Sequence, residues 1–477
     1  MDHRKKKLIA DDKKYIWHPF TPMADWVNDE LGEPLVIVRG KGNYLYDFDG
    51  KKYLDGVSSL WVNVHGHQKK EIDAAIKKQL GAIAHSTFLG LTHEPAIRLA
   101  RKLVEITPPG LTRVFYSDNG STSVEIALKM AYQYWQQTAC TTKKSTFLSL
   151  RNAYHGDTIG SVSVGGMDVF HAAFRPLLFA AHFAPSPYCY RCSHRHAPSS
   201  VFSDTHQTFN SHCRLMQCQG QCIESVAQIL KRNHADIAAT VIEPMVQGAA
   251  GMITMPPQYV KQVEQLCRKY DVLMICDEVA TGFGRTGKMF AVEHENVRPD
   301  ILCLSKGITG GYLPLAATLV TEKIYRAFLG KVEECKTFFH GHSYTANPLA
   351  CAAAIANLEL FKKENTIRRL PAKIEFLRRE LASLTNLPCV GDIRQRGLMV
   401  GIELVRRKKT LEEFPAHKKI GARVCAACRK HGILVRPLGN TIVIMPPLSI
   451  TCAELSKLVG VIRYIIAPHR QSRGKYI

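Results

Sequence analysis

The chain has 477 residues and a formal net charge of +22, from 63 Lys+Arg against 41 Asp+Glu, with 46% apolar and 22% charged residues. That composition excludes a disordered tail protein, a collagen-like repeat and a fibrous coiled coil, and no apolar run approaches the roughly 18 residues that span a bilayer. The basic residues fall in short, scattered runs (4–7, 77–78, 406–409), so most of the charge reads as solvated surface rather than a nucleic-acid footprint, with attraction of anionic small molecules as the functional alternative.

In chain order, the start Met1-Asp2-His3-Arg4-Lys5-Lys6-Lys7 is basic but runs into Asp11 and Asp12 with no apolar stretch. That is unlike a secretory signal, and the expected location is the cytoplasm. The 15 cysteines are then expected as reduced thiols. Residues 43–47 and 51–54, around Asp49-Gly50, predict a hairpin. Residues 113–117 predict a strand, and 121–135 a helix with Val124, Ala127, Leu128, Ala131 and Trp135 on one face. Residues 146–150 predict a second strand. Next comes a polar insertion in which Cys189, Cys192, Cys213, Cys218 and Cys222 accompany His194, His196 and His212. Such a set could bind zinc tetrahedrally. The long spacing between its halves favours a surface insertion with no metal.

Residues 239–242, 272–276, 301–304 and 315–320 are apolar runs of strand length, several without strict alternation, as in parallel strands covered on both faces. Strand–helix alternation of this kind predicts an α/β domain, assigned to residues 66–335. Residues 348–361 predict a buried helix and 374–384 another. Residues 433–436 and 441–445 flank a Pro437-Leu438-Gly439-Asn440 turn and predict a second hairpin. Residues 1–65 and 336–477 are expected to pack together as a smaller α+β domain.

Glu243, Asp277 and Lys306 sit at or just beyond the carboxyl ends of three predicted buried strands. In open α/β sheets ligands bind at that edge. A buried charge is costly unless paired, so three together suggest a polar ligand held between them. Gly120, Ser121 and Thr122 open a helix directly after a strand, which makes a ready phosphate site. Gly282-Phe283-Gly284-Arg285-Thr286-Gly287-Lys288 mimics a P-loop but has Met289 where magnesium needs Ser or Thr, and it is rejected. Lysine, aspartate and a phosphate cradle on one sheet edge suit pyridoxal 5'-phosphate. The lysine forms a Schiff base with its aldehyde and later acts as general base, and the aspartate keeps the pyridinium nitrogen protonated.

These residues resemble a known family. Asp277-Glu278-Val279-Ala280-Thr281-Gly282-Phe283-Gly284-Arg285-Thr286-Gly287, Ser305-Lys306-Gly307-Ile308-Thr309-Gly310-Gly311 and His340-Gly341-His342-Ser343 are similar to motifs of the class III pyridoxal-phosphate aminotransferases. Ile16-Trp17-His18-Pro19-Phe20-Thr21, Asp55-Gly56-Val57-Ser58-Ser59-Leu60-Trp61 and Asn152-Ala153-Tyr154-His155-Gly156-Asp157-Thr158 resemble the branch that makes 7,8-diaminononanoate in biotin biosynthesis.

The resemblance implies a fold-type-I transferase with a mostly parallel seven-stranded sheet flanked by helices. It implies Lys306 as the Schiff-base lysine, Asp277 on the pyridinium nitrogen, Gly120 and Ser121 on the phosphate, and Glu243 lining the cofactor cavity. Tyr154 would stack on the ring and face the substrate. His342 and Ser343 would reach the phosphate bound to the partner subunit, which implies a homodimer with shared active sites. Phe20, Leu60, Trp61 and Gly341 would line the substrate pocket, with Arg436 on the substrate carboxylate. The branch that takes its amino group from S-adenosylmethionine has Tyr at Phe20, Trp at Leu60, Pro-Thr at His342-Ser343 and Tyr at Val443. The branch using lysine matches this chain better, so lysine is the expected donor. The alternatives are another ω-aminotransferase or an aminomutase of the family, a basic nucleic-acid-binding protein, or a zinc-dependent scaffold. The last two leave Lys306 and Asp277 unexplained.

Overall fold

The computed structural model describes residues 3–138, 143–192 and 220–468. Its centre is a seven-stranded sheet of β1 (Leu111–Ser117), β2 (Thr146–Leu150), β3 (His182–Ala184), β4 (Ile237–Ile242), β5 (Leu273–Asp277), β6 (Ile301–Leu304) and β7 (Ala316–Thr321). The spatial order is β1-β7-β6-β5-β4-β2-β3. β7 runs antiparallel to both neighbours, and the other pairings are parallel. β4, β5 and β6 are buried at every residue, which explains why their sequences lack alternation. They are neighbours in register, with Cys276 opposite Ile242 and Asp277 opposite Cys303, so their carboxyl ends meet at one edge.

Helix Gly120–Thr138 leaves β1 and buries the predicted stripe against β6 and β7. The Trp135 indole N–H donates to the Ala238 carbonyl at 2.8 Å. Helix Pro348–Lys363, buried along most of its length, packs against Lys70–Ala82 and Glu94–Ile106. The second predicted helix spans Thr366–Ala382 and includes Pro371 within it. Among the described residues no helix is long and apolar enough to cross a membrane.

The first hairpin forms as expected, from Tyr44–Asp47 and Lys52–Asp55, with the Asp47 carboxylate accepting the backbone N–H groups of Asp49 and Lys51. The second differs. Residues 433–436 do not make one arm. Ile433–Leu434 pairs in parallel with Lys52–Asp55, and Arg436–Leu438 pairs with Thr441–Ile444. The free edge of the first hairpin is the cause: Leu54 donates to the Gly432 carbonyl and Gly56 to the Leu434 carbonyl, at 2.9 Å each, and Leu54 would otherwise be unpaired.

Cys267, Cys276, Cys303 and Cys351 are buried free thiols. Cys189 departs from the reduced reading because it is disulfide-bonded, and a bonded sulfur cannot serve as a thiolate ligand. Cys213, Cys218, His194, His196 and His212 lie outside the described residues. Among the described residues no group of three His, Cys, Asp or Glu is placed to hold a metal ion.

Beside the insertion, the fully buried Arg394 donates to Asp392 at 2.9 Å, Glu403 at 2.5 Å and Tyr188 at 2.7 Å, and to the Gly251 carbonyl at 2.7 Å. Removing this cation takes a counter-charge from two buried carboxylates, of which Glu403 keeps Arg191 at 2.6 Å. Arg394→Met is expected to cost about 3–5 kcal/mol, read as a lowered urea midpoint at unchanged slope.

Candidate active site

Asp277 ends β5, Glu243 follows β4 by one residue, and Lys306 follows β6 by two. Adjacent parallel strands thus deliver all three groups to one cavity of about 490 Å³, also lined by Gly120, Ser121, Tyr154, His155 and Trp61. The Lys306 backbone lies in the left-handed region (φ 42°), and its Nζ sits 5.3 Å from the centre of the Trp61 ring. Burial pulls the lysine below its usual pKa, and the charges of Asp277 and Glu243 oppose that only in part. The lowered value favours the neutral amine, which is the nucleophilic form.

Asp277 accepts from the Val279 N–H at 3.0 Å through Oδ1 and contacts His155 Nδ1 at 2.8 Å through Oδ2. Burial pushes His155 down, but the Asp277 hydrogen bond and charge outweigh it and leave the imidazole above its ordinary value. Its Nε2 is buried without a partner. Glu243 accepts from the Tyr154 N–H at 3.1 Å and the Gly248 N–H at 2.9 Å. Burial pushes its carboxyl up to about 7, against the pull of His155. The Tyr154 hydroxyl donates to Asp157 at 2.7 Å, and its ring stacks on His171 at 6.4 Å and meets the edge of Phe170 at 6.0 Å.

The helix beginning at Gly120 is capped by Asn119, whose side-chain oxygen accepts the Thr122 N–H at 3.0 Å. A Cβ at Gly120 would meet the Val279 side chain at 2.6 Å, so only glycine lets the backbone come this close. Ser121 Oγ accepts the Asp157 N–H at 3.0 Å, which seats the 154–157 loop on the helix start.

Sequence reading missed three groups here. Asp157 anchors the Tyr154 hydroxyl. Gly156 has φ 120°, and a Cβ there would strike Ser121 Oγ at 1.9 Å; its place between Tyr154 and Asp157 was the available signal. Arg285, inside the rejected P-loop match, is fully buried and donates to Ser58 Oγ and to the carbonyls of Trp61, Asn63 and Pro446. A charge set between glycines and Phe283 in that motif was the clue.

Trp61 reaches the cavity on a short segment in which Ser58, Ser59 and Trp61 are all left-handed, at φ 52°, 61° and 66°. The Asp55 carboxylate accepts the Ser59 N–H at 2.8 Å and hydroxyl at 3.1 Å, holding that segment together with Arg285. Leu60 is exposed beside it, and Val443 is fully buried. Phe20 is exposed and touches the group through Phe170, at 5.5 Å. Arg436 is half-buried near Tyr154, and burial lowers its pKa. Gly341, His342 and Ser343 are not among the residues lining this chain's own cavity; Gly341 and Ser343 are exposed, and His342 Nε2 is buried without a partner.

A pyridoxal phosphate fits these donors. The cavity lining brings together backbone N–H groups at a helix start, the Asp277 carboxylate and the Lys306 amine.

A family model described as aminotransferase class-III matches residues 27–466. A Geobacter sulfurreducens protein named adenosylmethionine-8-amino-7-oxononanoate aminotransferase is 51% identical over 459 residues, covering 96% of this chain and 97% of that protein. The crystal structure of a protein of the same name from Methanocaldococcus jannaschii has a TM-score of 0.88 at 45% identity, covering 96% of this chain and 98% of that one. An amine transaminase from an uncultivated Pseudomonas species, in its PLP-bound form, gives 0.84 at 36% identity, covering 94% and 97%.

Glu243 carries a sign that can be tested on cofactor-free protein. Its folded value of about 7 exceeds the 4.5 of a free carboxyl, so the folded state binds more protons between those values. Stability from this group is present below about 4.5 and is lost as pH rises through 7, at up to about 1.4 kcal/mol per pH unit. Glu243→Gln is expected to flatten that slope, read from denaturation midpoints between pH 5 and 8.

Proposed function

This chain belongs to the class-III aminotransferases, with pyridoxal 5'-phosphate as its cofactor, and we propose that it transfers an amino group from lysine to 8-amino-7-oxononanoate, giving 7,8-diaminononanoate. The observation carrying this reading is the convergence of Lys306, Asp277 and the Gly120–Ser121 backbone on one cavity. The names of relatives near 50% identity support the acceptor.

When bound, the cofactor supplies an electron sink for the carbanion left as a proton departs the donor carbon. Gly120 and Ser121 hold its phosphate through backbone N–H groups, with His342 and Ser343 reaching the same group from the partner subunit. Asp277, oriented by His155 and Val279, keeps the ring nitrogen protonated. Lys306 would anchor the cofactor, and its Nζ would take and return the proton at the donor carbon. Tyr154 covers the ring, its hydroxyl fixed by Asp157. Arg436 receives the acceptor's carboxylate as a planar fork. Glu243 holds the Tyr154 loop against the cavity wall.

Two further parts of the reading have support in the fold. A homodimer accounts for exposed Leu89, Leu91, Phe339 and Tyr344, where the ring contact of His85 with Tyr344 joins two loops into one apolar surface. A small domain built from 1–65 and 336–477, against a large one of 66–335, is supported by the pairing of Ile433–Leu434 with Lys52–Asp55.

For the donor, Phe20 and Leu60 present exposed apolar faces in place of a hydroxyl and an indole, which suits a short aliphatic amine better than a sulfonium nucleoside. Val443, being buried, adds nothing to that argument. The second reading, S-adenosylmethionine, is favoured by the names of the relatives.

Lys306→Ala is expected to lose both the visible absorbance of the lysine-linked cofactor and all transamination; a variant that still turned over would sink the assignment. Mixing the wild-type pyridoxal form separately with lysine and with S-adenosylmethionine decides the donor. Bleaching by lysine alone is expected, and bleaching by S-adenosylmethionine alone reverses the choice.

A further inference from the structure

Helix Pro348–Lys363 is lined by buried Ala353, Ala354, Leu358 and Leu360, and among them stands Asn357, fully buried. A side-chain amide in such surroundings is unfavourable unless it is hydrogen-bonded. Its Nδ2 donates to the carbonyls of Gly307 and Ile308, at 3.0 Å each, the two residues that follow Lys306. Its Oδ1 is buried without a donor and lies against Gly310, where a Cβ would meet it at 2.7 Å. Gly310 is left-handed (φ 65°) and closes the 3-10 turn Lys306–Thr309.

The lysine's own backbone sits in a region that non-glycine residues avoid, and such a conformation persists only where its surroundings over-determine it. β6 fixes the turn on one side, and Ser305 Oγ donates to the Leu315 carbonyl at 2.9 Å. Asn357 fixes it on the other.

We propose that Asn357 is a positioning residue for Lys306: both amide hydrogens hold the Lys306–Thr309 turn in the geometry that points the amine into the cavity beside Asp277. The inference rests on the reading of Lys306 as the cofactor-anchoring residue and goes beyond it.

Asn357→Leu keeps the branched heavy-atom shape and removes both donors. Asn357→Asp keeps the shape and sets a carboxylate against two carbonyls, and Asn357→Ser is a smaller replacement that cannot span to both. Each is expected to lower kcat by about tenfold or more, with KM for the acceptor held within about twofold. Each also slows the rise of visible absorbance when pyridoxal phosphate is added to cofactor-free protein, and shifts the pH at which that absorbance titrates. Leu360→Val, in the same helix, lowers the melting temperature and leaves these spectroscopic readouts in place. The inference is overturned if the folded Asn357 variants attach the cofactor at the wild-type rate with the wild-type midpoint, or if Leu360→Val disturbs both as strongly. Lys306→Ala separates the two claims. Absorbance persisting there defeats the anchoring reading, whereas its loss there beside unaltered Asn357 variants defeats only the positioning role.

Discussion

Three buried ionisable groups and one half-buried lysine share one end of a parallel set of strands, and the rest of the structure answers to them. Lys306, Asp277, Glu243 and His155 offer two potential cations and two potential anions within one small cavity. Each alone would be expensive to bury. Together they offset one another incompletely: the imidazole is held up, the amine is held down, and one carboxyl is pushed to near neutrality. A carboxyl pushed up to about 7 stands close to working pH, and an amine pulled below its usual value gives up its proton more readily, as proton transfer at carbon demands. The parallel register of β4, β5 and β6 makes the arrangement possible, because only in-phase neighbours bring three consecutive strand ends to the same level.

Much of this was legible in the residues. Uninterrupted apolar runs announced strands covered on both faces, and the charged residue ending each run marked the working edge. β2 and β6 fall at the expected bounds. The glycine and hydroxyl residues after β1 announced the helix start. What escaped depended on partners far away in sequence. The split of 433–436 into two strands follows from unpaired donors on a hairpin almost four hundred residues earlier, which no local pattern encodes. The role of Asp157 depends on a hydroxyl three residues before it and a serine thirty-six residues before it.

The same contrast separates the family from its finer chemistry. Electron withdrawal, phosphate binding and proton shuttling draw on groups held by the central sheet and its connecting turns, where backbone geometry leaves little freedom. In the proposed reaction substrate choice falls to Phe20, Leu60 and Arg436, which come from the two chain ends and stand partly open. A pocket assembled from such segments can change preference through a few exchanges while the sheet stays as it is.

Arg285 has a consequence for how the molecule moves. A single guanidinium bonds to Ser58, Trp61, Asn63 and Pro446, so an early segment, the middle of the chain and a late one are riveted at one buried point. Fraying at either terminus cannot spread past that rivet without stranding a charge away from water. The wall of the cavity carrying Trp61 is therefore tied to both chain ends through one buried cation, so opening it must break bonds to all three segments.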